Sequence, residues 1–222
     1  MKLSMENLRK TMVERQILPC AIKSSAVTAV MEKIPREIFL PSESKVLAYA
    51  DICVPLLNDG SGLPRYEMRP VTLARMLDTV MEQSKNSSVL VVGVGGGYVP
   101  AILAELFDTV VAIEEDKNLL ESAIQNLESL GYDTTELYSD IDSIASEVLF
   151  DVVFFNGGTT HFSAQYASRI NLDGSAIEIR VEENFGKCIQ TIRVGEQFSS
   201  RYIFSGITPL LFGHEVEKVF VF

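Results

Sequence analysis

Ser88-Val-Leu-Val-Val-Gly-Val-Gly-Gly-Gly-Tyr98 is the stretch on which the fold turns. An aliphatic, β-branched run leads into Gly93, Gly95, Gly96 and Gly97. Val99-Pro-Ala-Ile-Leu-Ala-Glu-Leu-Phe107 follows with apolar residues at helical spacing. Buried strand, glycine loop and helix in that order bring bare backbone to a ligand at the mouth of a parallel sheet. Glycine suits the loop because a Cβ would obstruct both the turn and the contact, and because positive φ costs glycine little. One unit on, Thr109-Val-Val-Ala-Ile-Glu114 is a second apolar strand, ending in a carboxylate. An acid about 20 residues beyond such a loop is placed to accept ribose hydroxyls.

The glycine spacing is G-x-G-x-G. A dinucleotide fingerprint needs glycine at 98, where this chain has Tyr98, so a nicotinamide or flavin site is disfavoured. A plain turn between a core strand and a helix is the bland alternative. The net charge of −11 is unevenly distributed: residues 1–75 carry +3 and the remainder −14. An acidic body with pI ≈ 4.7 argues against nucleic-acid binding, which needs a basic surface to displace counterions. No apolar run reaches the roughly 20 residues that span a bilayer, and the N-terminus lacks the apolar centre of a signal peptide. Cys20, Cys53 and Cys188 are scattered without metal-ligand spacing and read as reduced thiols in a cytoplasm. No metal site, membrane contact or oligomeric state is read from the sequence.

Spacing predicts amphipathic helices over 4–16 and 22–34, an extended proline-bracketed link over 35–41, and a polar loop over 52–70. Helical spacing resumes over 71–81. From Ser88 onward, strands at 88–93, 109–114, 134–138 and 150–155 alternate with helices at 98–107, 117–130 and 162–170. That alternation predicts a parallel sheet with crossovers. Strand-like segments at 175–181, 188–194 and 216–222 have little helix between them and suit an antiparallel edge. The reading is an α/β fold in two parts: an N-terminal helical cap with a substrate loop (1–85) and a cofactor-binding α/β domain (86–222).

With these segments in place, the chain resembles the protein-L-isoaspartate O-methyltransferase family of class I S-adenosylmethionine-dependent methyltransferases. Five stretches carry the resemblance: Pro35-Arg-Glu-Ile-Phe-Leu-Pro41 (PRExFxP), Ala48-Tyr-Ala-Asp51 (AYxD), Pro70-Val-Thr-Leu-Ala-Arg-Met76 (PYxxAxM), Gly93-Val-Gly-Gly-Gly-Tyr98 (GTGSGY) and Val111-Ala-Ile-Glu114. The resemblance implies a doubly wound, mostly parallel sheet of the class I methyltransferase type. It implies methyl ester formation on isoaspartyl carboxylates of damaged proteins, with S-adenosylmethionine held by Gly93, Val94, Gly95, Gly97, Glu114 and Asp140. Two departures stand out. The family's substrate loop reads TISQP, whereas this chain has Tyr66-Glu-Met-Arg-Pro70, with Met68 in place of the serine; Val91 stands where an acid is usual. A thioether is only a weak acceptor, so the substrate loop is altered and isoaspartyl methylation is expected to be weak or absent while cofactor binding persists. The competing readings are a non-catalytic cofactor-binding protein and a methyltransferase with another acceptor.

Methylating a carboxylate needs no general base, because the nucleophile is already ionised at neutral pH. Alignment of oxygen, methyl and sulfur carries the rate, so no triad is expected. Candidates that could shape the chemistry are Asp51, Arg65 and His161, with Arg69 beside Arg65 as a partner for a substrate carboxylate. His214 reads as a surface residue, and Tyr98, Phe154 and Phe155 as core. Glu114 at a strand end is expected to matter for affinity and little for stability. Asp140 has a helix N-cap as its alternative role.

Overall fold

The computed structural model describes residues 4–57, 65–82, 87–182 and 185–211. The two N-terminal helices are shorter than spacing predicts. α1 (Met5–Met12), capped by the Ser4 hydroxyl, passes into a wider π-type turn at Val13–Ile17 and a tight turn around Pro19. α2 (Ser25–Lys33) starts from Ser24, whose side chain accepts from Val27 N. The 35–41 link is not extended: Arg36–Phe39 closes a 3-10 turn that buries both Arg36 and Phe39. Its cause is packing, since Phe39 lies 5.6 Å from the Tyr98 ring and Arg36 donates to Met68 O at 2.7 Å.

The stretch read as a polar loop contains a two-stranded antiparallel ribbon, β1 (Val54–Leu57) and β2 (Arg65–Glu67). Residues 58–62, with their Asn-Asp-Gly-Ser-Gly run, lie outside the described residues. α3 (Pro70–Met81) follows, and its start is organised by Asp51, whose Oδ1 accepts Val71 N at 2.9 Å.

Among the described residues the main sheet has seven strands: β3 (Ser88–Val92), β4 (Thr109–Ile113), β5 (Glu136–Tyr138), β6 (Phe150–Thr159), β7 (Ile170–Glu182), β8 (Phe185–Val194) and β9 (Gln197–Ser205). Their order across the sheet is β5-β4-β3-β6-β7-β8-β9. β5 through β7 run parallel; β8 and β9 add the antiparallel edge. α4 (Tyr98–Ala104) and α5 (Lys117–Ser129) are the crossovers that build the β3-β4-β5 side. The predicted helix over 162–170 shrinks to one turn, α6 (Ala164–Ala167), because β7 already begins at Ile170.

One apolar cluster joins Met12, Val27 and Met31 of the N-terminal helices to Leu73 and Leu77 of α3 and to Val89 and Val91 of β3. A second fills the other face of the sheet around Leu90, Phe150, Phe155 and Tyr166. β3 lies at the switch point: chain order runs outward to β4 and β5 on one side and to β6 on the other. Ligands of open α/β sheets bind at the carboxyl ends of the strands at such a point. Among the described residues no helix is long and apolar enough to cross a membrane. The strand expected at 216–222 and His214 lie outside the described residues.

Candidate functional site

The loop after β3 takes its shape from its glycines. Gly93, Gly95 and Gly97 have φ of +85°, +59° and +102°, a region that residues with a Cβ rarely enter. Gly96 is required for a different reason: a Cβ there would stand 2.0 Å from the Phe39 carbonyl oxygen. The loop is thus pressed against the turn that the Pro35–Pro41 motif builds. Val94, Tyr98, Phe154 and Phe155 are fully buried, as core residues should be.

Glu114, one residue past β4, is 2% exposed and faces this loop. Its Oε2 accepts Gly95 N at 3.0 Å, and its Oε1 accepts Asp116 N at 3.3 Å. The same carboxylate forms an ion pair with Arg65 from β2, at 2.9 Å to Oε1 and 3.0 Å to Oε2. Removing one member of a buried pair strands the other charge, so this geometry argues against the expectation that Glu114 matters little for stability. Leu211 completes the cover, its Cδ2 lying 2.6 Å from the position that a Cβ on Gly93 or on Gly157 would take. Backbone bonds from Gly158 N to Pro209 O and from Leu211 N to Gly158 O, both 2.8 Å, hold that segment over the strand ends. The cavity left between Arg65, Gly93, Glu114 and Leu211 measures ≈ 20 Å³, about what a water molecule fills.

Two residues that the sequence reading passed over also reach the loop. Asn156, in the part of β6 beyond the predicted strand end, donates through Nδ2 to Gly93 O at 3.0 Å, and its Oδ1 has no partner. Glu67 on β2 is fully buried, and neither of its carboxylate oxygens has a hydrogen-bond partner. Burial pushes its carboxyl up to about 7, against the opposing pull of Arg36. The alternation Arg65-in, Tyr66-out, Glu67-in shows why neither neighbour resembles a loop residue in its surroundings.

The other expected residues are more dispersed. Asp51 pairs with Arg69 and caps α3, so it shapes the loop from behind. Arg65 and Arg69 thus both hold partners within the chain. Met68 is 1% exposed and joins the apolar core; a serine there would bury a hydroxyl among apolar side chains. Asp140 caps the short turn Ile141–Ser143 by accepting Ser143 N at 2.8 Å, and the hydroxyls of Ser139 and Ser143 hold its carboxyl below the usual range. His161 is exposed, with Thr160 Oγ1 at 3.2 Å from Nδ1, and does not line the cavity in front of Glu114.

Residues 6–158 match the model of the protein-L-isoaspartate(D-aspartate) O-methyltransferase family. The chain belongs to this family. A protein-L-isoaspartate O-methyltransferase 2 of Geotalea uraniireducens is 30% identical over 177 residues, spanning 79% of each chain. A second such protein, from Pelobacter propionicus, is 35% identical over 133 residues, where the match covers 60% of this chain but only 56% of that one. Among solved structures, a beta-aspartate methyltransferase from Plasmodium falciparum in complex with S-adenosyl-L-homocysteine superposes with a TM-score of 0.76. At 16% identity it covers 91% of this chain and 97% of its own. The protein-L-isoaspartate O-methyltransferase fold therefore extends over nearly the whole molecule.

Proposed function

We propose that this chain is an S-adenosylmethionine-dependent O-methyltransferase that esterifies isoaspartyl carboxylates of damaged proteins through an altered substrate loop. The observation that carries the reading is the contact of Glu114 with Gly95 N, inside a three-glycine cradle at the switch point of the sheet. These residues fit the cofactor. Gly93 and Gly95 offer bare backbone, and Glu114 offers a buried acceptor for two hydroxyls. When bound, S-adenosylmethionine supplies an electrophilic methyl group on a sulfonium.

The chain's own part is to align and to exclude water. Arg65 must leave Glu114 before a diol can be accepted there, because both oxygens of that carboxylate already serve the guanidinium. Leu211 must shift with it, since its side chain fills the ground in front of Gly93. Asp51 fixes Arg69 and the first turn of α3, and so the angle at which the substrate loop leaves the core. A carboxylate acceptor needs no base; among the described residues, the cavity lining holds no histidine. Residues 1–85 act in this reading as cap and substrate loop, and 86–222 as the cofactor domain. A cytoplasmic setting suits the three free thiols, Cys20, Cys53 and Cys188.

Burial of Met68 favours a second reading, a protein that binds the cofactor without methylating isoaspartate. Incubation with methyl-labelled S-adenosylmethionine and an isoaspartyl peptide separates the two. Slow formation of base-labile methyl esters, absent with the matching aspartyl peptide, is the expected result. Cofactor binding with no ester formed would overturn the enzymatic reading and leave the second.

A further inference from the structure

β2 turns two charged side chains toward the glycine loop, and they meet different fates. Arg65 finds Glu114. Glu67, two residues on and thus roughly 7 Å along the strand, finds no donor for either oxygen although it is wholly buried. A buried carboxylate without a partner is costly enough that folds seldom keep one idle. Its Oε2 lies 3.4 Å from the position that a Cβ on Gly95 would occupy, with Leu56 Cδ1 at 3.1 Å and Asn156 Nδ2 at 3.6 Å from the same point. Asn156 spends its amide nitrogen on Gly93 O, which leaves its Oδ1 as another buried acceptor without a donor. The two side chains with unpartnered buried acceptors, Glu67 and Asn156, thus both reach the neighbourhood of Gly95. Val91, fully buried in β3, brings no carboxylate to the loop from the strand beneath it.

We propose that Glu67, with Asn156 Oδ1, is the ammonium-binding subsite of this cleft and receives the α-ammonium at the amino-acid end of S-adenosylmethionine. This assignment rests on the cofactor reading above. Glu114 marks the sugar end through Gly95 N, and Glu67 approaches the same glycine from the side where its Cβ would be. A nucleoside joined to an amino acid presents a diol and an ammonium, the two groups that these carboxylates recognise. The charged and titratable groups around Glu67 are Arg36 in the 36–39 turn, Tyr98 on α4, and the Arg65–Glu114 pair across Gly95. Arg36 commits Nη2 to Met68 O and leaves Nε and Nη1 without partners, so a water bridge from Arg36 to Glu67 is the competing account.

Titration calorimetry with S-adenosyl-L-homocysteine and with 5′-methylthioadenosine, which lacks the amino-acid end, tests the assignment. Glu67→Gln removes the charge without changing shape and should fold. The variant should bind S-adenosyl-L-homocysteine about 10- to 100-fold more weakly while its affinity for 5′-methylthioadenosine stays unchanged. A second measurement needs no variant. With Glu67 titrating near 7, capture of a cation by its ionised form should release protons at pH 7, so the observed enthalpy should change with the buffer's ionisation enthalpy. The wild-type affinity for S-adenosyl-L-homocysteine should rise on the order of tenfold from pH 5.5 to 7. Unchanged affinity in Glu67→Gln, equal loss of both ligands, or binding without proton release would each overturn the subsite. If the wild type binds neither nucleoside, the cofactor reading falls as well; if it binds both and Glu67→Gln is indifferent, the subsite alone fails.

Discussion

Glu114 and Glu67 are both buried glutamates beside Gly95, yet their surroundings differ in kind. Glu114 receives a guanidinium and two backbone amides, whereas Glu67 receives no hydrogen bond. The paired acid is built into the fold, and any ligand for it would have to compete with an internal cation. The unpaired acid weakens the fold and is useful only when something binds. On the proposed reading, the cofactor cleft holds one carboxylate that stabilises the protein and another that the protein tolerates.

Breaking the pair should give the largest effect. Glu114→Gln leaves Arg65 buried without a counter-charge and should destabilise the protein by about 3–5 kcal/mol in urea titrations. Pairing it with Arg65→Met should recover most of that loss; a double variant as unstable as the single one would show that the pair is not what holds this corner.

Glu67→Gln should act in the opposite direction and depend on pH. An acid whose folded pKa is raised binds its proton more tightly in the folded state. Stability is therefore fullest below the unfolded value of 4.5 and falls as pH climbs toward about 7. The variant should be more stable than the wild type at pH 8 by an amount on the order of 3 kcal/mol, and indistinguishable at pH 4. Melting curves at the two pH values check this, and a variant less stable at pH 8 would mean that Glu67 has a partner in the folded chain.

Asp51→Ala sits behind the comparison and should have the smallest effect. Losing the cap on α3 and the Arg69 partner costs about 1 kcal/mol, without the pH dependence of Glu67. A loss of several kcal/mol would show that the loop's rear support carries more of the fold than its buried acids do.

The cradle and Glu114 opposite it were legible in the sequence, and the ribbon that brings Arg65 and Glu67 to them was not. Ser88–Val92, the glycines and Thr109–Ile113 announce themselves because aliphatic runs and glycine spacing are patterns that burial and close approach impose directly. β2 is three residues long, lies beside a Gly- and Pro-rich stretch, and carries two charges inward, which is how a solvated loop reads. Glu67 was visible only as part of the departure from TISQP, since its burial is what makes its charge unusual. β9, with Ser199, Ser200 and Arg201 in its midst, is a largely exposed edge strand whose apolar run, Tyr202-Ile-Phe204, is too short to announce it. Met68 was legible as a departure, but its burial in the core depended on packing that the sequence does not display. The 36–39 turn likewise comes from Phe39 meeting Tyr98, a contact across 59 residues.

The most direct test sets Arg65 against the ligand. Calorimetric titration of S-adenosyl-L-homocysteine into the wild type and into Arg65→Met at pH 7.5 should show binding to both. The variant should bind on the order of tenfold more tightly, because Glu114 no longer has an internal competitor for its oxygens. Equal affinities, or weaker binding by the variant, would contradict the account of Glu114 as the acid from which Arg65 must be displaced.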